Sequence, residues 1–534
     1  MVNHLFRKQN SVLSAAAILM VTVLISRLLG LLRDRFLAGY FFAGNAWQLD
    51  VYFAAFRLPD MVFQLLVVGA LAAAFIPVFT DYLSKNKREA WHVASTVISL
   101  GLVAFLFLAG AIFFLAGSFS RIIAPTFNAS ELQLMTVITR WLLLAQLSFL
   151  ISNFLTGMLQ SQQHFIIPAL APVAYNLGII FGIAVLSPVL GIFGPVAGVI
   201  IGAALHGLVQ WPLIRSLGYR YSWSFDWRHP GVRRIGRLML PRTLALAVTQ
   251  IELTTAVFIA TALPAGSLAI FYFAQHLHSL PVGLFGATIG QAALPAFAQA
   301  AGQSPERLKR LVIESLNQVL YLSLPAGMML LILRLPAVRL AFGARSFPWE
   351  ATLLTGKAVA LLAVSVFAQA AIQVLVRAFY ALGDTKTPFG LGTLAVMVNV
   401  GLSFFLTFKL NLGILGLALA ISLSSFIHLL LLFGVLSRWL GGFGADEFWR
   451  PLFKMILATL VTGLSLYLPF KLLDNYIFNT TRTLDLIGLS AIAGLIGMLV
   501  YGWLSYCLKI KELNQFINLV KKLRRFYYDP LIYP

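Results

Sequence analysis

Seven charged residues stand between positions 27 and 60 in a stretch that is otherwise mostly apolar: Arg27, Arg33, Asp34 and Arg35 in one hydrophobic run, then Asp50, Arg57 and Asp60 in the next. A charge held at bilayer depth costs several kcal/mol unless it meets water or a partner, so such residues are candidates for function. Guanidinium groups bind phosphate through two parallel hydrogen bonds, and an anionic cargo is what this set would suit. On a straight helix Arg27 and Asp34 share a face, while Arg33 points about 120° away from Arg27. A break at Gly30, with Ser26 beside it, would bring both arginines onto one cavity. Asp50 and Arg57, seven apart, would share a stripe on the next segment. A second reading stands beside this one. Arg27 lies sixteen residues past Ser11, about 24 Å along a helix, so Arg27 to Arg35 could mark the outer end of the first segment among headgroups. Asp50, Arg57 and Asp60 could then pair locally.

Other candidates are more isolated. Glu252 is a lone acid in an apolar run; it either binds a proton or cation or satisfies Thr249 or Thr255. His276 and His278, two apart, face different sides of a helix and make a poor metal pair. His276 either faces the space between lobes or is a hydrogen-bonded core histidine. Arg140 and Arg377 read as anchors, and Gly198, Gly202 and Gly207 as small residues that let helices approach. Gly356-Lys357 runs on into Ala358 and lacks the upstream glycine of a P-loop, and no His-Glu-x-x-His pair occurs. ATP hydrolysis and metal chemistry are not expected, and no cofactor or metal is called for.

The elements that carry these residues are membrane helices. Of 534 residues, 60% are apolar and 11% charged, with a mean hydropathy of +0.88. A soluble domain carries about 25% charged residues. Soluble enzymes, disordered scaffolds and disulfide-stapled secreted domains are thereby excluded, and Cys507 is the lone cysteine. Fourteen segments are expected, near 11–40, 47–82, 90–119, 132–159, 168–186, 193–213, 238–263, 267–298, 311–333, 351–381, 389–408, 414–436, 452–472 and 486–508; they are called spans 1 to 14. The first reads as uncleaved, although Arg7 and Lys8 before an apolar run imitate a signal peptide. Spans 1 and 2 are too long to cross straight, and Gly30, Pro59 and Pro77 are where they should give way.

Thirty-nine basic against 18 acidic residues give +21, and sorting the charges by loop gives them a topological meaning. Lys85, Lys87 and Arg88, the arginines from Arg215 to Arg242, Arg307, Lys309 and Arg310, and the tail from Lys509 to Arg525 fall on one side if both termini are cytoplasmic. The loops 187–192 and 263–266 opposite them are short and nearly uncharged. Arg334, Arg339 and Arg345 between spans 9 and 10 break the rule. The basic loops suit anionic phospholipids, and nucleic acid is not a needed partner.

The halves echo each other. Ala74-Phe75-Ile76-Pro77-Val78-Phe79 closes span 2 and Ala293-Leu294-Pro295-Ala296-Phe297 closes span 8; Asn176-Leu177-Gly178 in span 5 matches Asn399-Val400-Gly401 in span 11. The expected fold is an all-α polytopic membrane protein with about 14 transmembrane helices, in two pseudo-symmetric six-helix lobes plus two C-terminal helices. The divisions are 1–218 for the N-terminal lobe, 219–237 for a basic cytoplasmic linker, 238–440 for the C-terminal lobe, 441–508 for spans 13 and 14, and 509–534 for a basic cytoplasmic tail. Parallel repeats of this kind belong to transporters whose site lies between the lobes.

Ser26-Arg27-x-x-Gly30-x-x-Arg33-Asp34, followed by Asp50-x-x-x-Ala54-x-x-x-Leu58-Pro59 and Phe75-x-Pro77, resembles the opening of the MurJ (MviN) lipid II flippase family. Ala378-Phe379-Tyr380-x-x-x-Asp384-x-Lys386-Thr387-Pro388 is similar to that family's later signature, and the likeness runs through essentially the whole chain. The resemblance implies the multidrug/oligosaccharidyl-lipid/polysaccharide exporter fold, a cationic cavity between the lobes, and a polyprenyl-tail groove at spans 13 and 14. It implies that the chain moves undecaprenyl-pyrophosphate-linked peptidoglycan precursor from the inner to the outer leaflet of the bacterial cytoplasmic membrane by alternating access, for cell-wall synthesis, as a monomer and a transporter rather than an enzyme. Arg27, Arg33, Asp34 and Asp50 match the family's cavity positions, with Ser26 and Gly30 beside them, and Arg57 sits where a basic residue is also usual. The sequence departs from the pattern where His276 stands for an arginine, where Phe63 or Gln64 and Val68 replace an arginine and a glutamate, and in the ion site, where Asn399 is kept, Ser403 replaces an acid and Glu252 lies about a turn from the expected carboxylate. The coupled cation is thus undefined. A cytoplasm-negative potential favours outward movement of an anion by about 2.3 kcal/mol per charge per 100 mV, which removes the need for ATP. The alternatives are a flippase for another polyprenyl-linked oligosaccharide, a drug/cation antiporter of the same fold, which should carry cavity acids, and a membrane glycosyltransferase. The last would need paired outer carboxylates, and Glu131, Glu350, Asp474 and Asp485 are scattered.

Overall fold

The computed structural model describes residues 12–68, 74–343, 347–476, 483–515 and 517; Arg7, Lys8, Arg345 and the basic tail from Lys521 onward lie outside them. Every regular element among the described residues is helical. Among the described residues eleven helices are long and apolar enough to cross a membrane, or twelve if the pair Trp349–Ala363 and Val366–Ala381, bent by 42°, is one span. These correspond to spans 3 to 14. Spans 1 and 2 fall on Val12–Ala55, Arg57–Phe63 and Ile76–Lys85.

The breaks near the amino end match expectation at Pro59 and differ from it at Gly30. Gly30 keeps helical geometry; the irregular residues inside Val12–Ala55 are Ala43, Gly44 and Asn45. Gly44 takes φ +78, a left-handed conformation that costs a residue without a β-carbon little. Pro59 acts as its chemistry requires. Its ring would strike the carbonyl four residues back, and the helix ends there, at Ala55. That carbonyl accepts instead from the hydroxyl of Thr139 at 3.2 Å. Pro77 sits in the first turn of Ile76–Lys85, where a missing N–H is harmless.

Local sequence sets the other starts. Asn86 accepts from the amides of Arg88 and Glu89 to open span 3, Lys87–Ile123. Asn128 and Glu131 form a reciprocal capping box at the start of span 4, Ala129–Ser161. Ser304 accepts from Arg307 N–H, with Pro305 in the first turn of span 9, Pro305–Ile332.

The repeat is visible as backbone geometry. π-helical turns cover Gln64–Val68 and Val282–Ala287, each starting thirteen residues before the matched proline, Pro77 or Pro295. Two more, Gly182–Leu186 and Phe405–Lys409, each start six residues after the matched asparagine, Asn176 or Asn399. Gly191 and Gly413, ahead of spans 6 and 12, share φ/ψ of 55/−132 and 56/−135. One extra residue per turn is unfavourable in isolation, so its recurrence at matched positions marks a shared architecture.

By packing, the chain divides into two compact units, 1–270 with 341–348, and 271–340 with 349–534. The first takes in the 219–237 segment, span 7 (Pro230–Thr261) and the first turn of span 8 (Ser267–Ala301). Within it Phe75, Phe79 and Phe154 pack ring on ring. Spans 5 (Ile166–Leu190) and 6 (Phe193–Ser216) touch backbone to backbone: a β-carbon on Gly178 would lie 2.4 Å from Gly202 Cα, and one on Gly182 would lie 2.5 Å from Gly198 Cα. The packing role expected of Gly198 and Gly202 is observed, and Gly207 has only an ordinary contact, 3.6 Å from Ser152 Cβ. In the second unit Phe297, Leu316, Val374 and Phe379 anchor one buried cluster that extends to Met455 and Tyr501 of spans 13 and 14.

Candidate functional site

Because Gly30 does not break the helix, Ser26, Gly30 and Arg33 form one stripe on span 1, and that stripe meets Asn176 of span 5. Asn176 Nδ2 donates to Ser26 O and Ser26 Oγ, both at 3.2 Å, and to Pro172 O at 3.1 Å. Arg33 Nη1 donates to Asn176 Oδ1 at 3.4 Å. A β-carbon on Gly30 would come to 4.0 Å from the same oxygen. Pro172, inside the span 5 helix, has no N–H to give to the preceding turn, and its own carbonyl takes the Asn176 amide. The glycine contact between spans 5 and 6 holds that turn in place.

Arg33 also forks onto its neighbour: Nε and Nη2 reach Asp34 Oδ1 at 2.9 Å each. Asp34 is buried and Arg33 is one-fifth exposed. Arg27 is different. It is half-buried on the same helix and makes no hydrogen bond or ion pair with any described residue. With the helix continuous through Gly30, Arg27 and Arg33 stay about 120° apart around the axis and about 9 Å apart along it. The bend expected to merge their faces is absent.

The stripe expected of Asp50 and Arg57 is interrupted at Phe56. Asp50 is buried and accepts from Gly266 N at 2.6 Å and Ala269 N at 2.8 Å. Both carboxylate oxygens are thus engaged by the first turn of span 8, where an anion meets unpaired amides and the positive end of the helix dipole. Arg57, also buried, donates to Gln250 Oε1 of span 7. Asp60 accepts from Gln146 Nε2 of span 4 at 2.6 Å and lies within electrostatic reach of Arg57. These residues tie span 2 to three other elements, spans 4, 7 and 8.

The remaining candidates lie apart. Glu252, half-buried on span 7, makes no hydrogen bond or ion pair with a described residue, Thr249 and Thr255 included. Asn399 is buried in the second unit, donating to Ser424 Oγ at 2.9 Å and accepting from Ser403 Oγ at 3.3 Å. Its place resembles that of Asn176: an amide inside an apolar helix that bonds a serine hydroxyl of another helix and an atom of its own. His276 is half-buried, edge-on to Tyr272 with ring centroids 6.3 Å apart, and His278 is buried with Ser365 Oγ 3.4 Å from Nε2. Among the described residues no group of three or more His, Cys, Asp or Glu could hold a metal ion.

The later signature forms a turn. Asp384 accepts from the amides of Lys386 and Thr387 at 2.9 and 3.1 Å. The Thr387 hydroxyl, with those amides, holds its carboxyl below the usual carboxylate range. The matching turn before span 5 repeats the conformation, with Gln163 at φ +64 where Gly383 has φ +76.

The family model described as "Lipid II flippase MurJ" matches residues 37–484. The chain belongs to that family. Membership makes it a multi-pass membrane transporter of the bacterial cytoplasmic membrane and not an enzyme. A relative from Buchnera aphidicola, described as "Probable lipid II flippase MurJ", is 29% identical over 472 residues, which span 86% of this chain and 90% of the relative. The fold is also that of a solved lipid II flippase MurJ in an inward closed conformation, with TM-score 0.75 and 23% identity over 92% of this chain and 98% of that one. An inward-facing multidrug resistance MATE family transporter of the MOP superfamily shares it with TM-score 0.65 and 15% identity, over 80% of this chain and 98% of that one. The expected family and fold are therefore observed. Asn176 joins this cluster without being one of the candidates that the sequence singles out. In the sequence it stands out only as part of the repeat, although an amide inside an apolar run needs a partner for the same reason an arginine does.

Proposed function

We propose that the chain carries lipid II, an undecaprenyl-pyrophosphate-linked peptidoglycan precursor, from the inner to the outer leaflet by alternating access, with the diphosphate on the arginines of span 1. The observation that carries this reading is Arg27: a half-buried guanidinium on a membrane helix, with no partner among the described residues. A group in that state needs an anion or water. Arg33, pre-oriented by Asp34 and Asn176, is the second cation, and Ser26 and Gly30 leave room beside it. Asp50 and Arg57 act as supports that set the start of span 8 and the position of span 7.

In this reading the lobes 1–218 and 238–440 move, 441–508 receives the polyprenyl tail, and both termini are cytoplasmic, so that the membrane potential favours export of the anion. The basic loops bind anionic phospholipids and the protein works as a monomer. Glu252 would take any coupled proton or cation. Export of another polyprenyl-linked oligosaccharide is the nearest alternative, and a drug/cation antiporter is favoured by no residue of the span 1 set, where cations lead.

The test is replacement of a host's own flippase by this gene. Wild-type protein should restore growth and outer-leaflet lipid II, and Arg27→Ala, present at normal levels, should lower transport at least about tenfold. Restoration of growth without lipid II export would point to another cargo. Full transport by Arg27→Ala would remove the proposed headgroup site.

A further inference from the structure

A cleft of about 550 Å³ lies between spans 3 and 4 of the first unit. Its lining is apolar except for Arg140 and contains no acidic residue. Phe105 is buried at its back, while Leu106, Trp141 and Leu144 are about half exposed along its rim, so it opens sideways to the bilayer. Gly110 leaves a gap in the wall: a β-carbon there would meet nothing within 4 Å.

Arg140 is held in place. Its Nε donates to Phe113 O at 3.0 Å, and its guanidinium carbon lies 5.0 Å from the centre of the Phe113 ring. The two terminal nitrogens donate to no described residue. Spans 3 and 4 have 37 and 33 residues, about 55 and 50 Å of helix against an apolar slab of about 30 Å, so both overhang. Arg140 and Phe113 lie about 16 and 15 Å from the helix ends at Ala129 and Ile123. That depth places the guanidinium a few ångströms inside the slab, where a lipid phosphate can reach it. From there the cleft runs about 10 to 12 Å deeper, to Leu147 and Phe105.

We infer that this cleft binds one anionic phospholipid from the leaflet on the side of the 124–128 turn, with its phosphate on Arg140 and an acyl chain laid over Gly110. The single fixed cation neutralises a headgroup of net charge −1. With no carboxylate in the lining, the amine of a zwitterionic headgroup finds no acceptor. The apolar floor below the cation matches a chain that hangs from the phosphate toward the midplane. The site is independent of the transport reading, since it uses none of the span 1 residues.

The purified full chain, stripped of lipid in detergent, should be titrated with phosphatidylglycerol and with phosphatidylethanolamine and followed by native mass spectrometry. One phosphatidylglycerol should be retained in preference to phosphatidylethanolamine. Arg140→Gln should weaken that binding about tenfold. Gly110→Phe, which places a ring in open space and leaves every charge intact, should do the same by filling the cleft. Equal retention of the two lipids by the wild type, or unchanged retention by Gly110→Phe, would overturn the site. Stoichiometric displacement of phosphatidylglycerol by a polyprenyl phosphate would overturn the assigned occupant.

Discussion

Arg27 and Arg33 carry the same group on the same helix, and their surroundings give them different work. Arg33 is tied to Asp34 and Asn176, so Arg33→Ala takes the guanidinium away from a buried carboxylate and frees an amide oxygen. Removing one partner of a buried pair costs about 3 kcal/mol. Thermal unfolding should therefore fall markedly for Arg33→Ala and stay near wild type for Arg27→Ala, although both lose transport; equal melting temperatures would mean that the Arg33–Asp34 pair adds nothing to the fold. Arg33, Asp34 and Arg27 were all legible as candidates because charged side chains inside an apolar run announce themselves. Their partners were not legible. Asp50 looks in sequence like a ligand, and only the fold shows that two amides of span 8, more than two hundred residues away, take both its oxygens.

At the scale of the helix, prolines and polar caps were readable because they act within one turn. Pro59 ends a helix at Ala55 whatever the rest of the chain does, and Asn86 or Asn128 opens one. Gly30 was misread for the converse reason: glycine permits a bend and does not force one, and span 1 bends at Gly44, where the turn into span 2 demands it. The glycines of spans 5 and 6 matter through contact. Gly202→Ala would put a methyl 2.5 Å from Tyr175 O, next to Asn176. That overpacking should destabilise the protein by about 1 to 3 kcal/mol and disturb the Asn176 contacts to Ser26 and Arg33. The check is a lowered melting temperature together with reduced transport, set against Gly110→Ala, which has space and should behave as wild type.

For the molecule as a whole, the distribution of basic loops implies an orientation that labelling can read. In a Cys507→Ser background, a cysteine at Val189, which is 85% exposed, should react with a membrane-impermeant maleimide in intact cells. One at Gln303, in the turn between spans 8 and 9, should react only after permeabilisation; the reverse pattern would invert the proposed direction of export. By itself the sequence determined the class of the protein, its repeat and the residues that bear charge in its apolar segments. Hydropathy and periodicity are properties of contiguous residues, and insertion into a bilayer leaves a chain this apolar no alternative. What only the tertiary structure decided was pairing: Asn176 with Ser26 and Arg33, Asp50 with the start of span 8, Arg57 with Gln250, and Arg27 with no described residue. Those outcomes depend on which helices lie side by side and on how they are rotated, and burying a polar group forces it to find a partner without specifying from how far along the chain that partner comes.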